Sequence, residues 1–343
     1  MTRVSVCVPN LNQRPFIEER LETIHDQLLK DWECIVYDNY SDDGSWEIIQ
    51  NFSARDSRFH VFQAPREGMY ANWNNCVQQA KGEFIYIATS DDTMSPGCLE
   101  KMVAALQEHP DCDICQCGLQ MIDREGRPMN GENGELCWEK LANASFYGKM
   151  LQKPHVRKAP FDGLAALAYG TAWTSMTQVL IRRSLFEKVG LFPTEWGAIG
   201  DAAWQMKAGL VTSVVFIPEK LATWRYYEGQ GSGVIHQHAM SEGWMEKMNA
   251  VTLQWLGNRE PKLAKRISRS GLLNHFQLDA NYHRLKEAFM KNGLIGALLE
   301  LTYHPIGSAR LISHVLRQKT AFLKVPSKQE TVHNQIEKIL KQQ

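Results

Sequence analysis

Between residues 4 and 88 two kinds of segment alternate, and that alternation limits the folds open to the chain. Residues 4–9, 32–37, 59–62 and 84–88 are short apolar runs rich in β-branched and aromatic side chains. Turn-forming or polar residues bound each run, which is the pattern of a buried strand. Residues 16–29, 46–52 and 72–80 instead repeat apolar side chains at helical spacing. Phe16, Ile17, Leu21, Ile24 and Leu28 fall on one such face. Strands alternating with helices imply βαβ units, an α/β fold and a mainly parallel sheet. In such a sheet the ligand crevice lies beyond the carboxyl ends of the strands. Residues 9–12, 38–44 and 89–92 all follow strand ends, so they share one edge of the sheet whatever the chemistry.

Two of these exits carry carboxylates. Asp91 and Asp92 close the run 84–88, and adjacent like charges repel unless something positive offsets them. A hard divalent cation held by carboxylate oxygen, with its other positions left to substrate phosphates, would do so. The plainer reading is a turn in which Asp92 and Thr93 cap the next helix, with Ser95-Pro96 as its start. Asp38 ends the second run. A carboxylate there can accept from a base N–H or a ribose hydroxyl, or can simply close an Asx turn. Arg225 follows the strand-like residues 221–224, and a guanidinium suits phosphate geometry.

The 343 residues suffice for one large domain or two smaller ones. Lys+Arg and Asp+Glu both number 38, so the total charge points to no class of partner. The balance hides an asymmetry: residues 262–330 hold twelve Lys/Arg against four Asp/Glu. From about residue 240 the pattern is helical, so we divide the chain into 1–239 and a basic helical region, 240–343. That region suits peripheral contact with anionic lipid headgroups, with Leu294, Leu298, Leu301, Leu311, Ile312 and Leu316 as its apolar side. It equally suits packed helices with a solvated charged face. It carries no fold signal for nucleic acid beyond charge. Residues 125–160 are rich in Gly, Asn, Lys and Pro and read as a loop excursion. Of the eight cysteines only Cys112, Cys115 and Cys117 cluster, and a zinc site needs a second cluster. Buried free thiols in a reducing cytosol are expected. The N-terminus runs straight into a strand pattern, and no apolar stretch reaches membrane-spanning length. The expected location is cytoplasmic, with peripheral contact at the inner face of the membrane.

The order of motifs resembles the family 2 glycosyltransferases of GT-A fold, over residues 3–235. Residues 4–12 match the opening strand and its Pro-containing exit. Residues 35–45, Ile-Val-Tyr-Asp-Asn-Tyr-Ser-Asp-Asp-Gly-Ser, match the nucleotide-recognition loop. Arg66-Glu67-Gly68 through Asn72 leads to the metal motif at Ser90-Asp91-Asp92, and residues 179–192 precede the acceptor site. The resemblance implies a GT-A, Rossmann-like mixed sheet, mainly parallel and flanked by helices, with a C-terminal helical extension. It implies a nucleotide-binding half over about 1–120 and an acceptor half over about 121–239. The implied reaction moves a sugar from a nucleotide-diphosphate donor (UDP, GDP or dTDP) to an acceptor hydroxyl, with inversion, in bacterial cell-surface polysaccharide assembly. The acceptor would be a saccharide or a lipid-linked saccharide. By the same resemblance Pro9, Asn10, Asn12, Asp38, Arg66, Asn72, Ser90, Asp92 and Arg225 meet the nucleotide sugar. Asp91 binds Mg2+ or Mn2+, with His236 as a further ligand, and Asp201 is the catalytic base. Two positions depart from the pattern: Thr89 replaces the first Asp of the metal motif, and Gly200 replaces one of an acidic pair before the base. Two other classes share some of these features. A sugar nucleotidyltransferase wants a Gly-rich basic loop after the first strand, and Pro9-Asn10-Leu11-Asn12 is not one. A non-catalytic nucleotide-sugar binder or scaffold would keep Asp38 without needing Asp201.

Overall fold

A computed structural model describes residues 2–132, 137–230, 243–273 and 328–341. The alternating segments become β1 (Val4–Asn10), α1 (Arg14–His25), β2 (Trp32–Asp38), α2 (Ser45–Arg55), β3 (Phe59–Gln63), α3 (Met69–Gln79) and β4 (Phe84–Ile87). β1 pairs in parallel with both β2 and β4, and β2 pairs in parallel with β3. Covered on both faces, β4 reads as an unbroken apolar run, and β1 as an apolar run broken only by the buried Ser5 before its Asn10 end. α1 starts with Pro15 in its first turn, where a missing N–H costs nothing. It buries Phe16, Ile17, Leu21 and Ile24 but stops at His25, so Leu28 lies past its end and stays exposed.

The chain continues through α4 (Cys98–Glu108), β5 (Cys112–Ile122), α5 (Ala142–Tyr147), β6 (His155–Arg157), α6 (Phe161–Tyr169), β7 (Val179–Arg182), α7 (Ser184–Val189), α8 (Gly200–Val211) and β8 (Ser213–Arg225). One eight-stranded sheet results, ordered β3-β2-β1-β4-β7-β5-β8-β6. β7 runs antiparallel between β4 and β5, and β6 runs antiparallel beside β8. β5 and β8 pair in parallel, with a register shift between Cys117 and Gly118 opposite Pro218. Proline has no N–H for the ladder, so the strand bulges there. The GT-A-like expectation of a mixed, mainly parallel sheet with flanking helices therefore holds.

Residues 125–160 differ from the loop expected of them, since they supply α5 and the edge strand β6. A buried ion pair organises this segment. Arg157 forks onto Asp162 at 2.6 and 2.9 Å, and the Trp173 indole donates to the same carboxylate at 2.9 Å. The α6–α8 crossing is close: a Cβ on Gly209 would sit 2.5 Å from the Gly163 nitrogen. Cys112, Cys115 and Cys117 lie buried in β5, and burial drives the thiols of Cys115 and Cys117 well above the usual cysteine range.

The chain packs as two units, residues 1–166 with 171–242, and residues 167–170 with 243–343. In the second, α9 (Trp244–Gly257), α10 (Pro261–Arg269) and α11 (Lys328–Leu340) are helical. α10 buries Leu263, Ala264 and Ile267 and exposes Lys262, Lys265 and Arg269, as an amphipathic helix should. No described helix is long and apolar enough to cross a membrane. The leucine-rich positions 294–316 lie outside the described residues.

Candidate active site

The carboxyl ends of β1 and β2 build the first part of the site. Asn10 and Asp38 are register partners across the two parallel strands. Asn10 Nδ2 donates to Asp38 Oδ1 at 2.7 Å. Asp38 is fully buried, and it also accepts from the Ser41 amide (2.9 Å) and the Ser41 hydroxyl (2.5 Å); these bonds reach three residues on, one beyond an Asx turn, and close the loop after β2. Asn12 ties its loop to the next one, donating to Asp42 Oδ1 at 2.9 Å and accepting from the Asp42 amide at 3.1 Å. Arg66 donates to the carbonyls of Asn39 (3.0 Å) and Tyr40 (2.6 Å). Asn72, in α3, donates to the Tyr37 carbonyl at 2.9 Å. The Ser90 hydroxyl donates to the Pro9 carbonyl, joining this corner to the acidic turn. Two buried carbonyl oxygens here, Asn10 Oδ1 and Asn72 Oδ1, have no hydrogen-bond partner among the described residues. Buried acceptors left unpaired are costly, and they mark a place where a donor from outside would be accepted.

Asp91, Asp92 and Arg225 form the second part. Asp92 is fully buried and accepts from the Thr89 hydroxyl and from the Arg225 amide at 2.7 Å. Thr89 thus gives a donor where a third carboxylate would have added charge. Burial and the charge of Asp91 push the Asp92 carboxyl up to about 7. Burial also raises the Asp91 carboxyl, although Tyr227 and Gln230 each donate to its Oδ2 at 3.3 Å. Arg20, fully buried in α1, partly offsets both charges. The Arg225 guanidinium is itself buried and engaged. It donates to the carbonyls of Asp91 (2.6 Å), Arg124 (2.8 Å) and Asp123 (3.3 Å), and pairs with Glu19 at 2.6 Å.

Asp201 stands in the first turn of α8 without capping it through its side chain. Its Oδ1 accepts from the Tyr70 hydroxyl at 2.6 Å. Burial raises the Asp201 carboxyl above the ordinary aspartate range, and the Tyr70 bond pulls the other way. Gly200 has no room for a side chain, since a Cβ would meet the Pro193 carbonyl at 2.4 Å and the Tyr70 ring at 2.6 Å. A carboxylate side chain at position 200, next to Asp201, is therefore excluded by packing. Tyr70 and Asn72 both lie in α3, so one helix touches both the Asn10–Asp38 corner and Asp201. Trp204 is fully buried against Phe186 and Phe192, a core residue as its helical spacing suggests.

The expected site residues thus fall into two hydrogen-bonded groups on the strand-end edge, with Asp201 joined through α3. Tyr70, Tyr227 and Gln230 were not singled out from sequence. Their roles depend on partners more than a hundred residues away, and no local spacing signals them. His236 lies outside the described residues.

Carboxylates and amides converging on the carboxyl ends of a parallel sheet define an α/β protein with its ligand crevice at that edge. The chain belongs to glycosyl transferase family 2, whose profile matches residues 5–190. It is 34% identical over 128 residues to the GalNAc(5)-diNAcBac-PP-undecaprenol beta-1,3-glucosyltransferase of Campylobacter jejuni, covering 37% of this chain and 40% of that one. The chain spans about half the length, or less, of the curated relatives it matches. Its fold is similar to Staphylococcus aureus TarS 1–349 in complex with UDP-GlcNAc (TM-score 0.60, 17% identity, 99% of this chain and 92% of that one). It is also similar to the mannosyltransferase PcManGT of Pyrobaculum calidifontis in complex with GDP-Man and Mn2+ (TM-score 0.58, 17% identity, 98% and 87%).

Proposed function

We propose that this chain is an inverting glycosyltransferase that moves a sugar from a nucleotide-diphosphate donor to an acceptor hydroxyl, with Mg2+ or Mn2+ as cofactor. Residues 1–239 would be its catalytic domain. The observation that carries the reading is the placement of three carboxylates, Asp38, Asp91 and Asp201, around one sheet edge, with α3 spanning from the nucleotide corner to Asp201.

Asn10 and Asn72 hold unpaired carbonyl oxygens beside Asp38, so base and ribose donors find acceptors already in place. The residues around Asp91 fit a hard cation. Its neighbours Tyr227 and Gln230 offer oxygen, and Gln230 Oε1 is buried with no partner among the described residues. When bound there, the metal would offset the charge that grows on the departing nucleoside diphosphate. Arg225 holds the Asp91 carbonyl and Asp92 the Arg225 amide, which fixes the turn that presents the Asp91 carboxylate. Asp201, ionised, would take the proton of the attacking hydroxyl, and Tyr70 would orient the carboxylate and favour its charged form. Attack opposite the leaving group inverts the anomeric centre in one displacement.

The nucleotide sugars bound by TarS and the mannosyltransferase, and the undecaprenol-linked saccharide of the Campylobacter jejuni enzyme, support nucleotide-sugar donors and polysaccharide assembly. A lipid-linked acceptor would bring the basic region 240–343 to anionic headgroups, a peripheral contact at the cytoplasmic face. The test is a thermal-shift screen of UDP, GDP and dTDP, with and without Mn2+, on wild type and Asp91→Ala. A shift that needs one nucleotide and the metal, and is lost in the variant, is expected. Proton NMR of the sugar released or transferred then reads the anomeric configuration. No nucleotide-dependent shift under any metal condition would refute the donor site.

A further inference from the structure

Two residues other than glycine adopt positive φ among the described residues, Asn12 (+53°) and Tyr40 (+51°). Both sit in the pair of loops at the ends of β1 and β2. The left-handed region suits asparagine, whose short amide can bond locally, and Asn12 does so with Asp42. A tyrosine there is a genuine outlier, because its Cβ crowds the following carbonyl. Folding gives no return for it: the Tyr40 side chain is 55% exposed and has no ring or hydrogen-bond partner among the described residues. Glycine would adopt the same backbone without strain.

The backbone on both sides of Tyr40 is nonetheless pinned. Asn39 donates its amide N–H to the Asn10 carbonyl at 3.0 Å and its side chain to the Ala64 and Pro65 carbonyls at 3.1 and 2.9 Å. Arg66 takes the Tyr40 carbonyl at 2.6 Å, and Ser41 is locked onto Asp38. Six hydrogen bonds would be needless to steady an idle surface ring. Strain that the surroundings over-determine is found where geometry is used. An exposed tyrosine on a pinned backbone two residues past Asp38 has one obvious partner class, a planar heteroaromatic ring.

We infer that Tyr40 is the aromatic platform of the donor site, its ring stacking on the nucleobase of the nucleoside diphosphate. The inference rests on the donor-site reading above and adds a specificity-determining residue to it. Stacking accepts any base, because every base has a π-face, so the platform selects nucleotides over free diphosphate rather than one base over another.

The test is calorimetric titration of UDP, GDP and Mn2+-pyrophosphate into wild type, Tyr40→Gly, Tyr40→Phe and Asp91→Ala. Tyr40→Gly is expected to weaken the preferred nucleotide roughly tenfold or more. It should leave Mn2+-pyrophosphate binding unchanged and the melting temperature equal or higher, because strain is relieved. Tyr40→Phe should bind as wild type. Nucleotide affinity in Tyr40→Gly within about twofold of wild type, while Asp91→Ala loses it, overturns the platform and leaves the donor site standing. A lower melting temperature with equal loss of nucleotide and pyrophosphate makes Tyr40 structural and also overturns it. If wild type binds no nucleotide, the donor-site reading fails and this inference with it.

Discussion

Tyr70→Phe isolates one hydrogen bond in the proposed reaction. The ring packs edge-on against Trp73 and beside Phe192, and those contacts survive the change. What is lost is the hydroxyl that donates to Asp201 Oδ1 at 2.6 Å, its shorter contact, since the Ala198 carbonyl is 3.1 Å away. A hydrogen bond to a charged group contributes about 1.5–3 kcal/mol, and 1.36 kcal/mol corresponds to one pH unit of proton affinity. The bond favours the ionised carboxylate, so without it Asp201 holds its proton more tightly. As general base it must be ionised, so the rate falls as pH drops through its titration. The acid limb of the kcat–pH profile should therefore move to higher pH by roughly one to two units, with the alkaline plateau retained. The assay is nucleoside diphosphate release from donor sugar across pH 4–9. An unmoved acid limb, or a plateau lowered equally at every pH, would refute the assignment of Tyr70 as the group that tunes the base.

Asp201→Asn should lower the plateau rate by about 10²–10⁴-fold. Burial raises its folded-state proton affinity above the unfolded value, so ionisation costs the fold stability as pH rises, and the melting temperature of the amide variant at neutral pH should be equal or higher. Asp162→Asn breaks the fork with Arg157 and leaves a buried charge unpaired, which should cost about 3–5 kcal/mol by urea denaturation. Gly209→Ala forces a methyl into the Gly163 backbone, and a loss of about 1–3 kcal/mol in thermal or urea unfolding is expected.

The parallel half of the sheet was legible because β1, β2 and β4 are buried on both faces and leave largely apolar runs between turn residues, with Ser5 and Glu33 satisfying each other as the buried exceptions. The strand ends then located Asp38 and Asp91 without further information. β6 was not legible: three residues, His155–Arg157, hold no period, and the Arg157–Asp162 pair and the β8 neighbour decide the segment. The polar residues before β7 form a turn of 3₁₀ helix, Met176–Gln178, in which Ser175 and Gln178 make a capping box that reads from sequence only once the turn is known. In the site, residue type gave the carboxylates but not their partners. Arg225 was read for phosphate, and the structure gives its guanidinium to three carbonyls and Glu19, which only tertiary contact could reveal.

Arg225 also bears on how relatives of this chain can exchange parts. One side chain and its amide fasten the acidic turn at Asp91–Asp92, the bend at Asp123–Arg124, helix α1 through Glu19, and the end of the last strand. Substitutions at Glu19 and Arg225 share one ion pair and should not add independently. A chimaera that takes its later strands from another parent keeps this fastening only if Glu19 and Arg225 travel together, although they stand at opposite ends of the sheet-forming sequence; the carbonyls of Asp91, Asp123 and Arg124 are main chain, and any residue there presents them.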